Sequence, residues 1–149
     1  MEKLMAEVPK MASGMAPEAP KGPPAAHIRD VFTTYGALQS AGDVDGILAL
    51  FADEAVVRDP ANAPAHHGKA ALRTFFEKGF AASGGANEMK LEGAVRIAGN
   101  QAAAAFIVRT VRSRPIYRVE TLDVMSFDDA GLITEMVAYW GPENFAQED

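Results

Sequence analysis

The stretch Tyr117-Arg-Val-Glu-Thr-Leu-Asp-Val-Met-Ser-Phe127 decides how the chain is read. It is rich in β-branched and aromatic residues, and side chains alternate along a strand, so Val119, Thr121, Asp123, Met125 and Phe127 share one face. That face is mainly apolar, with a carboxyl in its middle. Such a carboxyl either points at water from an edge strand or is buried, and a buried one needs a strong partner or stays protonated. The strand pattern by itself leaves both open.

Outward from this run, strands are expected over about 88–98, 101–111, 116–127 and 132–140. Gly99-Asn100, Ser113-Arg-Pro115 and Asp128-Asp-Ala-Gly131 supply the turns. Helices precede them. Ile28, Val31, Phe32, Tyr35 and Leu38 recur at helical spacing over His27 to Ala41, and a tyrosine on that buried stripe needs a partner for its hydroxyl. Ser40-Ala-Gly-Asp43 ends this helix, and Asp43 caps a second whose apolar side is Ile47, Leu48, Leu50 and Phe51. Ala55-Val-Val-Arg-Asp59 is a short strand stopped by Pro60. After a loop over 61–68, Leu72, Phe75, Phe76 and Phe80 mark a third helix. Helices first and a strand meander last predict an α+β fold, with three N-terminal helices on one side of a curved, mostly antiparallel sheet.

The 149 residues suit one domain, with 48% hydrophobic and 23% charged residues. A net charge of −6 without a basic cluster argues against nucleic acid or an anionic membrane as partner. No apolar run approaches the roughly 20 residues of a membrane span. The chain has no cysteine, which removes disulfides, thiolate metal sites and a cysteine nucleophile, and fits a cytoplasmic location. Residues 1–26, rich in Pro, Ala, Gly and Met, are expected to be a flexible tail before a domain over 27–149. His66 and His67 are expected to be solvated loop side chains rather than a metal pair, because neighbours in an extended loop point apart.

Tyr35, the stretch from Ser40 to Asp53, Val56-Val-Arg-Asp-Pro60, Leu122-Asp-Val-Met-Ser-Phe127 and Met136-Val-Ala-Tyr-Trp-Gly141 together resemble the ketosteroid isomerases. These belong to the wider group of NTF2-like (cystatin-like) or SnoaL-like cone domains. The resemblance spans about 28–145. It implies that Asp59 is a general base and that Tyr35 and Asp123 are oxyanion donors, Asp123 being protonated. Ketosteroid isomerase is itself the standard example of a carboxylic acid held neutral by an apolar site, so that behaviour comes with the resemblance. Phe76 departs from the pattern, standing where family members carry a further tyrosine that hydrogen-bonds the first. The resemblance also implies a homodimer formed through the outer sheet face.

These three groups can move a proton beside a ketone: a carboxylate takes it, and aimed donors meet the charge that develops on oxygen. No metal, nucleotide or flavin is needed, in keeping with the lack of a Gly-rich phosphate loop or metal-ligand spacing. The expected ligand is a small apolar ketone of steroid type. Phe51, Phe76, Phe80, Val95, Phe106, Met125, Met136, Ala138 and Trp140 are the candidates to line its pocket, with core packing the competing role for most of them. Other enzymes of this cone shape, such as polyketide cyclases or epoxide hydrolases, and non-catalytic binding modules are the alternative functions. Arg109 and Arg118, which an Asp-Arg-Asp hydrolase site would draw on, cannot be placed in the pocket from sequence.

Overall fold

Helix α1 runs Ala25–Ala41 in the computed structural model, which describes residues 22–148. Of the tail expected over 1–26, residues 1–21 lie outside the described residues, and the helix begins two residues earlier than the sequence pattern suggests. Its buried residues, Ile28, Val31, Phe32, Tyr35, Gly36 and Gln39, recur at three and four positions and so form one face. Gly42 ends it in the left-handed conformation (φ 68°), where a Cβ would collide with the Gly85 carbonyl. The Gly42 and Asp43 N–H groups donate back to Gln39 O and Leu38 O at 3.2 and 3.0 Å, closing the helix end. The Asp43 carboxylate accepts from Gly46 N–H at 2.9 Å and caps α2, Val44–Leu48.

Leu50 and Phe51 do not extend α2. Phe51 instead opens strand β1, Phe51–Arg58. The apolar run from Ile47 to Phe51 suits either helix or strand, and tertiary pairing decides. Phe51 lies opposite Ile133, whose N–H donates to Leu50 O at 2.9 Å. Strand β2, His66–His67, pairs antiparallel with β1, so the two histidines are part of the sheet edge rather than a free loop. Then follow α3 (Lys69–Ala82), β3 (Glu88–Ala98), β4 (Gln101–Arg109), β5 (Tyr117–Phe127), β6 (Ile133–Tyr139), a 3₁₀ turn (Pro142–Asn144) and β7 (Phe145–Gln147).

The described strands form one open sheet in the order β2-β1-β6-β5-β4-β3, with β7 added beside β5. Neighbours are antiparallel except β1 and β6, which run parallel. Three helices on a curved, mostly antiparallel sheet give the expected α+β cone. The core lies between them, and Ile28, Phe32, Ile47, Phe51, Val57, Leu72, Phe106, Met125, Ile133 and Met136 are fully buried there. Phe106 is central: its ring stacks on Phe32 at 6.3 Å and meets Tyr35 edge to face at 6.3 Å. Gly36 lets α1 press onto β3, since a Cβ there would stand 3.1 Å from Met89 O.

Phe106→Ala therefore removes the ring on which α1 and the Tyr35 side chain rest. Urea unfolding should show a loss of about 3–5 kcal/mol with an unchanged denaturant slope.

Candidate active site

Parallel pairing of β1 with β6 assembles the site. Arg58 lies opposite Val137, and Ala61 N–H donates to Ala138 O at 2.7 Å, so the ends of both strands arrive together. This puts Asp59, just past β1, beside Trp140, just past β6. The Trp140 indole Nε1–H donates to Asp59 Oδ1 at 2.6 Å, leaving Oδ2 as the remaining basic oxygen. On β5, Asp123 is only 2% exposed, and the Thr121 hydroxyl donates to its Oδ1 at 2.9 Å. On α1, Tyr35 is equally buried, and Gln39, one turn on, donates Nε2–H to Tyr35 Oη at 3.0 Å. Tyr35, Asp59 and Asp123 all line a single cavity of about 290 Å³.

Burial pushes the Asp123 carboxyl up to about 8; the nearby Asp59 charge pushes the same way, and the Thr121 hydrogen bond opposes both. Asp123 is thus mostly neutral at pH 7. With Oδ1 accepting from Thr121, its proton belongs on Oδ2. Burial also raises Asp59 above the ordinary carboxyl value, and the Trp140 N–H and the nearby His66 offset that rise only in part. Tyr35 rises well above the ordinary phenol value through burial and through the Asp123 and Asp59 charges, in that order. Its hydroxyl, accepting from Gln39, keeps its own O–H to donate. The cavity therefore brings together two carboxyl groups, one of them held neutral by burial, and a phenol O–H.

Phe76, Phe80 and Trp140 stand in the cavity wall among the residues expected there. Phe51, Phe106, Met125, Met136 and Ala138 do not: each is at most 1% exposed and packed in the core, where α1 sets Phe32 and Tyr35 against Phe106 and α3 sets Phe76 against Phe51. Val95 is likewise outside the wall, half-buried on β3. Phe76 meets Tyr35 edge to face at 6.4 Å, a contact without a hydrogen bond, and Gln39 is the partner the phenol has instead. Gln39 and Thr121 were not singled out from sequence. Their spacing was the available signal: Gln39 stands four residues from Tyr35 on a helix, and Thr121 two from Asp123 on a strand. Phe75, Val108, Val119 and Phe145 complete the apolar wall. His66, expected in a solvated loop, packs its ring on Phe75 at 4.6 Å.

An open cone whose cavity joins buried polar groups to aromatic walls defines a domain built to hold a small apolar molecule. The profile of the SnoaL-like domain matches residues 28–136, and the chain belongs to that family, within the NTF2-like fold. A steroid Delta-isomerase of Nocardioides simplex is 35% identical over 117 residues, covering 78% of this chain and 92% of that protein. Among solved structures, the epoxide hydrolase/cyclase-like enzyme SalBIII, which acts in pyran ring formation in the polyether salinomycin, superposes with a TM-score of 0.71. It is 23% identical over 83% of this chain and 98% of its own, a likeness of fold. No helix among the described residues is long and apolar enough to cross a membrane.

Asp123 binds its proton more tightly folded than unfolded, so its ionisation must erode stability. That contribution is complete below the ordinary carboxyl value near 3.8 and is lost progressively as pH rises through about 8. Urea unfolding at pH 5 and pH 9 should show a fall of a few kcal/mol in the wild type and a markedly smaller fall in Asp123→Asn.

Proposed function

We propose that the protein is a steroid delta-isomerase, moving the double bond of a 3-oxo-Δ5-steroid to the conjugated Δ4 position without a cofactor. The observation that carries this reading is the pairing, in one cavity, of a carboxylate with a neutral carboxylic acid and a phenol whose O–H groups are free to donate. Asp59 takes the C4 proton. The electron pair left behind spreads into a dienolate whose negative oxygen, at C3, accepts hydrogen bonds from Tyr35 and Asp123. Asp59 then returns the proton to C6, and the double bond comes to rest between C4 and C5. Atoms balance, since one proton leaves and re-enters the same molecule. Phe76, Phe80 and Trp140 supply the apolar walls that a fused-ring ketone would fill.

The isomerase relative supports this chemistry, and so does the position of the arginines. An epoxide-opening site of Asp-Arg-Asp type would need a guanidinium in the cavity. Arg109 is instead bonded to Glu88 and Glu148, and Arg118 lies 3.8 Å from Glu120; neither is in the wall. The homodimer belongs to the same proposal. Leu122 and Tyr139, opposite each other on the outer sheet face, are 43% and 53% exposed and would be covered by a second copy.

The test is ultraviolet absorbance of the conjugated enone formed from a Δ5-3-ketosteroid. Wild type should produce it, and Asp59→Asn should reduce kcat more than 10²-fold while still binding a phenolic steroid. Tyr35→Phe and Asp123→Leu should each cost about 10²–10³ in kcat. Wild-type protein that binds the steroid but yields no enone would remove the isomerase reading.

A further inference from the structure

Trp140 follows β6 directly, and the alternation of that strand sets it on the inner face with Met136 and Ala138. β6 ends against β5 with Tyr139 opposite Leu122, and β7 resumes with Phe145 opposite Val119. Three residues along β5 thus face six along the other strand, and the surplus is a bulge over 140–144. At the start of this excursion the indole lies against the end of β1, donating to Asp59. Two contacts fix the shape of the bulge. The Asn144 side-chain Oδ1 accepts from Gly141 N–H at 3.0 Å, while Asn144 N–H donates to Gly141 O at 2.9 Å, so one residue closes the turn in both directions. Phe145 then sets its ring 6.1 Å from Trp140 and 5.3 Å from Tyr117, bracing the indole.

Beyond the bulge the chain is tied down again. Glu148 N–H donates to Ile116 O at 2.9 Å, and its carboxylate grips the Arg109 guanidinium. The segment after β6 is therefore a strap anchored at both ends, and its first residue is the only tryptophan of the chain. From this geometry we infer that Asn144 and Phe145 are positioning residues: they hold the Trp140 indole N–H on the carboxylate of the base. The inference rests on Asp59 being that base, but the contact can be tested without any substrate.

Loosening the strap withdraws a hydrogen bond from an ionised, partly buried carboxylate. The charged form loses stabilisation, and Asp59 must then ionise at higher pH. The titratable groups facing Asp59 from other elements are Tyr35 on α1, Asp123 on β5 and His66 on β2. Because Trp140 is the sole tryptophan, its fluorescence reports this carboxyl directly. A pH titration of emission in wild type should show a transition that is absent in Asp59→Asn and persists in Asp123→Asn and His66→Gln.

In Asn144→Ala and in Phe145→Ala the midpoint of that transition should move to higher pH. Glu143→Ala, exposed on the same turn, should leave it in place. Phe145 is 42% exposed, so its removal leaves the core intact and decides the matter even where Asn144→Ala does not fold. Wild-type midpoints in Phe145→Ala and in folded Asn144→Ala overturn the inference, including where melting temperature falls, because a purely structural strap would lower stability without moving the midpoint. A wild type that shows the Asp59 transition but turns over no steroid leaves this inference standing and removes the isomerase reading alone.

Discussion

The rest of the site depends on one unfavourable placement, a carboxyl group inside an apolar sheet face within the electrostatic reach of a second carboxyl. Two carboxylates so placed cannot both hold their charge cheaply, and the protein separates their fates by environment. Asp123 is buried on β5 between Ala104 and Ala138 of the neighbouring strands, with the Thr121 hydroxyl as its partner, and keeps its proton. Asp59 sits where two strand ends meet, partly open to the cavity, and an indole N–H on one oxygen offsets part of the rise that burial imposes. Under the proposed isomerase reading, a donor and a base are thereby made from the same residue type in one cavity.

Each of the three groups has one neighbour that occupies one of its hydrogen-bonding positions and leaves the other for a ligand. Gln39 donates to the Tyr35 oxygen, Thr121 to one oxygen of Asp123, and Trp140 to one oxygen of Asp59. Local periodicity supplies the first two partners at almost no conformational cost, since they lie on the same helix face and strand face as the groups they serve. The third crosses from one strand end to another, where the parallel pairing of β1 with β6 brings Asp59 and Trp140 together. The aromatic wall matters for the same reason: Phe76 and Phe80 on α3 exclude water, which keeps Asp123 neutral and strengthens any hydrogen bond made inside.

Much of this was legible in the sequence because it follows from short periods. The 3.6-residue repeat identified the buried face of α1 and with it Tyr35, and the two-residue alternation put Asp123 on the apolar face of β5 while leaving its burial open. Pro60 marked the end of β1 and so the place of Asp59. Legibility failed where tertiary pairing decides. The apolar run from Ile47 to Phe51 suits helix or strand, and only the ladder to Ile133 makes Phe51 begin β1. Phe106, Met125 and Met136 share the inner face of the sheet with cavity residues, yet the helices cover them; which part of a face stays open is a matter of sheet curvature and helix placement, which no local pattern records. The bulge at 140–144 and strand β7 were missed for a related reason, since a register jump exists only relative to β5.

The central claim is that Asp123 carries a proton in the folded protein near neutral pH. The infrared difference spectrum between wild type and Asp123→Asn at pH 6 measures it directly. A carboxylic acid carbonyl band present in wild type and missing from the variant is the expected result; a carboxylate band in its place would contradict the account.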